Sequence, residues 1–164
     1  MAIFFIADTH FSEENIIRYE NRPFSSTEAM NEELIANWNK QILATDEVYV
    51  LGDFGAHGNE KQILERLNGI KYLVKGNHDT QSNEYYRQAG FQEVYDCTII
   101  LEQFWILSHE PLYVNANMPY ANLFGHVHNS PLFKDYSKQH FCVSVERIQY
   151  MPIAFEEIKK KIQG

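Results

Sequence analysis

Five times along this 164-residue chain an apolar run of strand length stops at a short segment rich in Asp, Asn or His. Ala2 to Ala7 ends at Asp8-Thr9-His10, Glu47 to Leu51 at Gly52-Asp53, and Lys71 to Val74 at Gly76-Asn77-His78-Asp79. Phe104 to Leu107 ends at Ser108-His109, and Ala121 to Phe124 at Gly125-His126-Val127-His128. Runs of this length bounded by polar or Gly-containing segments read as buried strands. A fold for this chain must therefore place several strand ends, and the polar groups they carry, where those groups are useful.

The intervening segments set the fold class. Met30, Leu34, Trp38 and Ile42 recur every four residues, and Ser25 with Glu28 fits a capping box, which predicts an amphipathic crossover helix between the first two strands. Asn59 to Leu67 reads as a second helix, stopped by Asn68-Gly69, and Asn83 to Gln88 as a third. Strands alternating with helices predict parallel pairing. After these helices the chain becomes strand-rich: Val94 to Leu101, Phe104 to Leu107, Ala121 to Phe124 and Phe141 to Val145 follow with few helices, and Phe155 to Ile162 closes as a helix. The reading is α/β: one domain over residues 1–164, with a second, largely antiparallel or mixed sheet packed on the first and helices flanking both.

Composition excludes several classes of function. The 22 acidic residues against 14 basic ones, with no basic stripe, disfavour long nucleic acid, whose phosphates need clustered Lys and Arg. A small phosphorylated substrate stays open, because bound cations can supply positive charge. No apolar run reaches the roughly 20 residues that span a bilayer, and no signal-type segment opens the sequence, so no membrane partner and a cytoplasmic location are expected. Cys97 and Cys142 match no ligand pattern and sit in strand-like stretches, where they read as buried or inert thiols. Oligomeric state is not legible.

The polar segments themselves suit divalent metal. In extended backbone, residues i and i+2 share a side, so Asp8 with His10, and His126 with His128, each present two ligands to one cavity. Carboxylate and imidazole without thiolate suit Mn, Fe, Zn or Ni in a catalytic site rather than a structural zinc. Asp53 has two oxygens with which to bridge two cations. Asn77 coordinates without adding negative charge, and His109 ends another strand. A single His is most often a hydrogen-bonded or surface imidazole; the whole set in this order is not explained that way.

These motifs resemble the signature of the calcineurin-like metallophosphoesterase superfamily, with DxH, GDxG, GNH(D/E), an isolated His and GHxH in sequence order. Compact bacterial and phage-type members are similar also at Asn15-Ile16-Ile17, Asn21-Arg22-Pro23-Phe24 and Asn37-Trp38-Asn39. In those members a His often follows the DTHF stretch by one residue, where this chain has Glu13. The resemblance implies a four-layer α-β-β-α sandwich with two divalent metal ions, manganese first, and iron, zinc, nickel or magnesium as alternatives. It places Asp8, His10, Asp53 and His128 on one ion and Asp53, Asn77, His109 and His126 on the other.

The expected function is hydrolysis of a phosphodiester, with phosphomonoesters and nucleotides also admitted, by in-line attack of a metal-bridging hydroxide. His78 is expected to protonate or hydrogen-bond the leaving oxygen, and Asp79 to orient that ring or cap the next helix. Arg18 and Arg22 are read as phosphate or carboxylate ligands against a loop-anchoring alternative, and Asn15 as a substrate contact against a turn role. His57 is placed at the mouth of the site, His140 in the structure, and Tyr113 and Tyr120 as stacking residues for a base. The rival function is a catalytically silent protein-binding scaffold. A serine hydrolase at Ser108-His109 fails, because adjacent strand residues face opposite sides and no G-x-S-x-G elbow exists.

Overall fold

A computed structural model describes residues 1–164, and two sheets share its core. The first sheet has the order β4-β3-β2-β1-β9, built from β1 (Ile3–Ile6), β2 (Glu47–Val50), β3 (Ile70–Val74), β4 (Glu93–Tyr95) and β9 (Ile153–Ala154). β1 to β4 pair in parallel, as the strand-helix alternation predicts, and only the edge strand β9 is antiparallel. The second sheet has the order β5-β6-β7-β8, from β5 (Ile99–Leu101), β6 (Trp105–Leu107), β7 (Ala121–Phe124) and β8 (His140–Cys142). It is mixed, but mostly parallel: only β5 with β6 is antiparallel.

The helices are α1 (Glu14–Tyr19), α2 (Thr27–Gln41), α3 (Glu60–Arg66), α4 (Asn83–Ala89) and α5 (Phe155–Gln163). α2 buries Met30, Leu34, Ile35 and Trp38, one stripe at helical spacing, and fastens its end through Trp38 Nε1, which donates to the Asn68 carbonyl at 2.9 Å. Its cap is Ser26, whose hydroxyl accepts from the Ala29 amide, one residue beyond the predicted Ser25. α1 and β9 are too short to carry a periodic signal and were not expected. The predicted strand from Val94 to Leu101 divides at Asp96 to Thr98: its first part closes one sheet and its second opens the other. Cys97 lies in that break and is exposed, contrary to the buried strand position expected of it, whereas Cys142 is buried.

One apolar cluster of 38 buried residues draws on both sheets. Phe155, the first residue of α5, stands between them, edge-on to Phe5 of β1 and to Trp105 of β6 at ring distances of 5.2 Å each. The sheets also meet through backbone, since Ala7 and Ser144 form a parallel bridge just beyond β1 and β8. The result is an α/β sandwich of two packed mixed sheets. Its consequence for function is directional: the carboxyl ends of β1, β2, β3, β6 and β7 all deliver their polar loops to one rim, where ligands bind in parallel α/β sheets. No helix is long and apolar enough to cross a membrane.

Candidate metal centre

Loop-to-loop hydrogen bonds assemble the rim. The segment after β1 runs beside the segment after β2: the amides of Asp8, His10 and Phe11 donate to the carbonyls of Gly52, Asp53 and Phe54 at 2.9 to 3.0 Å. The amide of Gly125 donates to the His109 carbonyl at 2.9 Å, which ties the two loops of the second sheet. Asp8, His10, Asp53, His126 and His128 all take positive φ, the sparsely populated left-handed region. The extended geometry expected for Asp8-Thr9-His10 and His126-Val127-His128 is therefore absent. These five side chains are aimed by turns held in place from outside, a pattern concentrated at functional sites. Gly52, at φ 89°, has a further reason to be glycine: a Cβ there would collide with the His109 ring.

Two clusters carry the expected ligands, and two further groups, His10 with Glu13 and His78, and Glu20 with His128 and Glu146, adjoin the first. Asp8, His10 and His128 bring one ligand atom each within 4.8 Å of one another, and so do Asp53, His109 and His126. His126 and His128 thus go one to each cluster, as the division between two ions implies. Asn77 joins the second cluster, with Oδ1 at 3.0 Å from His109 Nε2 and 3.2 Å from His126 Nδ1. Asp53 stands between them: its Oδ2 is 3.6 Å from His10 Nε2 and 3.3 Å from His109 Nε2.

The donor set fits divalent cations on its own geometry. Asp8 is fully buried with Oδ1 unpartnered, and His10 Nε2 is buried and unpartnered too. Orphaned buried acceptors of this kind are costly unless something positive meets them. The other face of three of the four rings is held: His10 Nδ1 lies 2.7 Å from Glu13 Oε2, His128 Nδ1 lies 3.1 Å from Glu146 Oε1, and His109 Nδ1 lies 2.8 Å from the Leu51 carbonyl. An acceptor on the far nitrogen fixes tautomer and orientation and leaves Nε2 for a cation. Nitrogen and oxygen donors without sulfur select borderline and hard divalent ions.

The charges are coupled. Burial opposes the ionised form of Asp53, but the hydrogen bond and charge of His109 prevail and hold its pKa down to about 2. Burial likewise opposes the charge on His109, and Asp53 overcomes it, pushing the imidazole up to about 9. For Asp8 burial wins and raises the carboxyl pKa in spite of the nearby histidines.

Several expected roles move. Asp79 does not touch the His78 ring: its buried carboxylate accepts from the amides of Asp53 (2.7 Å), Phe54 (3.1 Å) and Gly76 (2.8 Å), and so clamps the loop that carries Asp53. Arg22 is not open to substrate. Its buried guanidinium donates to the carbonyls of Asp8 (2.6 Å) and Thr9 (2.9 Å) and to Glu146 at 2.7 and 2.9 Å, which takes the loop-anchoring alternative. Arg18 is exposed, 3.4 Å from exposed Asn15, and lines a cleft of about 360 Å³ with Glu14, Ile17 and Ser25 to Glu28 that contains none of the seven ligands. His78 is exposed at the rim, its ring edge-on to His10 at 5.1 Å, and its amide donates to Asp53 Oδ1. His140 is tied to Ser137 and the Leu112 carbonyl, and Tyr113 is 83% exposed, away from any stacking partner.

Glu13 and Glu146 were not anticipated in these roles. Glu13 lies three residues after His10, a spacing visible in the sequence, and it also meets His57 Nε2 at 2.9 Å. Glu146 lies 18 residues beyond His128 with no local signal; only the tertiary fold joins them.

Comparison with known proteins agrees with this geometry. An uncharacterized protein of Methanocaldococcus jannaschii is 34% identical over 169 aligned positions, covering 98% of this chain and 91% of that protein. The crystal structure of a protein of unknown function from Aquifex aeolicus superposes with a TM-score of 0.75 at 30% identity, covering 98% of this chain and 99% of the other. The model of the calcineurin-like phosphoesterase family matches residues 1–154, which include every residue of both clusters, and the chain belongs to that family.

Proposed function

We propose that the protein hydrolyses phosphodiesters at a centre of two divalent cations, manganese foremost, sharing Asp53. The observation that carries this reading is the position of Asp53 Oδ2 between His10 Nε2 and His109 Nε2, one from each cluster. Two cations held that way supply an activated water and a clamp on the phosphoryl oxygens. Family membership supports a metal-dependent phosphoester hydrolase in general. The chain's own residues do the rest. Asp8, His10, Asp53 and His128 form one ligand set, and Asp53, Asn77, His109 and His126 the other. Glu13, Glu146 and the Leu51 carbonyl hold the rings, so that no reorganisation is needed as charge develops.

His78 carries the proton step. It belongs to neither ligand set, and unlike His57, whose ring meets Glu13, its exposed ring beside His10 is free to meet a leaving oxygen. One such donor serves the one alcohol that departs from a diester or a monoester, so the assay must compare the two. The test is direct: protein stripped of metal and reconstituted with Mn, Ni, Zn, Fe or Mg is assayed on a chromogenic diester and its monoester. Turnover of the diester with two equivalents of metal per chain is expected. Stoichiometric metal with no turnover of either ester favours the silent scaffold instead.

A further inference from the structure

Beside His78 lies a cavity of about 310 Å³ whose chemistry is not used by the metal ligands. Gly55, His57, Gly58, Glu60, His78, Thr80, Gln81 and Tyr86 line it, and most of these are polar. At its base is Glu60, only 4% exposed. One oxygen, Oε2, is already engaged, accepting from the Gly58 amide at 2.9 Å and the Tyr85 hydroxyl at 2.7 Å. Oε1 makes no hydrogen bond and keeps some contact with solvent. A nearly buried carboxylate, fixed through one oxygen and presenting the other to a cavity, is a prepared acceptor for hydroxyl hydrogens.

The wall opposite His78 is built at a cost. Gly55, Ala56, His57 and Gly58 take positive φ in succession, at 85°, 82°, 42° and 99°. For Ala56 and His57 this is a strained conformation, held by the Ala56 amide on the Phe11 carbonyl and by the His57 ring on Glu13. The His57 and His78 imidazoles and Glu60 thus share the lining of one cavity.

We infer that this cavity receives the leaving alcohol of the substrate, and that Glu60 Oε1 selects an alcohol bearing further hydroxyls, of the size of a pentose. The inference rests on the phosphoesterase reading, since His78 would serve the departing oxygen at the cavity mouth. A plain aryl or alkyl alcohol displaces water from Glu60 Oε1 without offering a hydroxyl in return, and sites built to hydrogen-bond a hydroxyl reject analogues that lack it.

The experiment compares three diesters on the metal-loaded protein: bis(p-nitrophenyl) phosphate, a diribonucleoside phosphate, and the same compound with a dideoxyribose leaving nucleoside. The wild-type protein is expected to prefer the ribose leaving group in kcat/KM by about tenfold or more, the worth of a hydrogen bond to a charged group. Glu60→Gln should remove most of that preference, through KM, and leave turnover of the aryl diester within about twofold. His57→Asn, which tolerates positive φ, should raise KM for the ribose diester with metal content unchanged. Equal rates on the two nucleotide diesters, refusal of both while the aryl diester is cleaved, or an equal loss on all three in Glu60→Gln would overturn the inference. No turnover of any diester by the wild-type protein would instead remove the phosphoesterase reading beneath it.

Discussion

Asp53 Oδ2 lies 3.3 Å from His109 Nε2, and burial of both groups makes each the other's chief electrostatic partner. With Asp53 held down to about 2 and His109 pushed up to about 9, the metal-free protein keeps a charged pair where cations are expected. The Asp53 contribution to stability is present above its unfolded pKa of about 3.9 and is lost as pH falls through about 2; that of His109 is full below about 6.5 and is lost as pH rises through 9. The metal-stripped protein is therefore expected to melt highest between about pH 4 and 6.5. Metal must displace the His109 proton, so uptake at neutral pH releases protons. Calorimetry in buffers of different ionisation enthalpy measures this, and uptake at pH 7 without proton release would contradict the pairing.

Arg22 separates anchoring from substrate binding. Its buried guanidinium holds the Asp8 and Thr9 carbonyls and Glu146, and Glu146 in turn holds His128. Arg22→Met leaves buried Glu146 with His128 as its one charged partner and the Asp8 and Thr9 carbonyls without their donor, and breaking a buried pair costs about 3–5 kcal/mol. A large fall in the denaturation midpoint of the metal-free protein is expected, together with weaker metal retention. Unchanged stability with a raised KM would restore the role of substrate ligand.

Much of the fold was readable because its signals are local. The four-residue spacing of Met30, Leu34 and Trp38 marks α2, and the runs ending at Asp8, Asp53 and Asn77 mark β1 to β3. The two-residue β9 and six-residue α1 were hidden because neither is long enough to show a period, and the division between β4 and β5 because both halves are apolar. The seven expected ligands do converge, but for a different reason from alternation along a strand: Asp8, His10, His126 and His128 are turned by left-handed backbone, which Asp and His adopt more readily than most residues but which no period along the sequence marks. The residues that hold the ligands were the least visible. Glu146 and His128, like Asp79 and the Asp53 amide, are joined only by tertiary contacts.

Asp79 offers a second test of position against chemistry. Its carboxylate accepts from three amides around Asp53, and Asp79→Asn replaces one accepting oxygen by a donor that faces an N–H. Leaving buried donors unsatisfied costs about 1–3 kcal/mol each. Lower stability and reduced metal occupancy are expected, with the pH profile of turnover per bound metal unchanged. A displaced profile with full metal content would show that Asp79 acts on the His78 proton after all.

His78 can be tested by the leaving group it is meant to serve. Its ring stands with His10 and Glu13 in a further group of potential ligands but in neither of the two expected ligand sets, so His78→Ala should keep both cations, measurable by metal analysis. General acid catalysis contributes about 10²–10⁴-fold, and its value depends on how badly the departing oxygen needs a proton. An alkoxide from a sugar or simple alcohol is strongly basic and needs one; p-nitrophenolate is weakly basic and leaves with little help. The substitution should therefore slow a dialkyl diester by about two orders of magnitude or more, yet slow bis(p-nitrophenyl) phosphate much less. Equal losses on both substrates would mean that His78 binds the phosphate without moving a proton, and loss of metal with turnover per metal pair intact would make it a support for the ligands. The His10 ring, 5.1 Å away, provides the control: its substitution should remove metal and activity together.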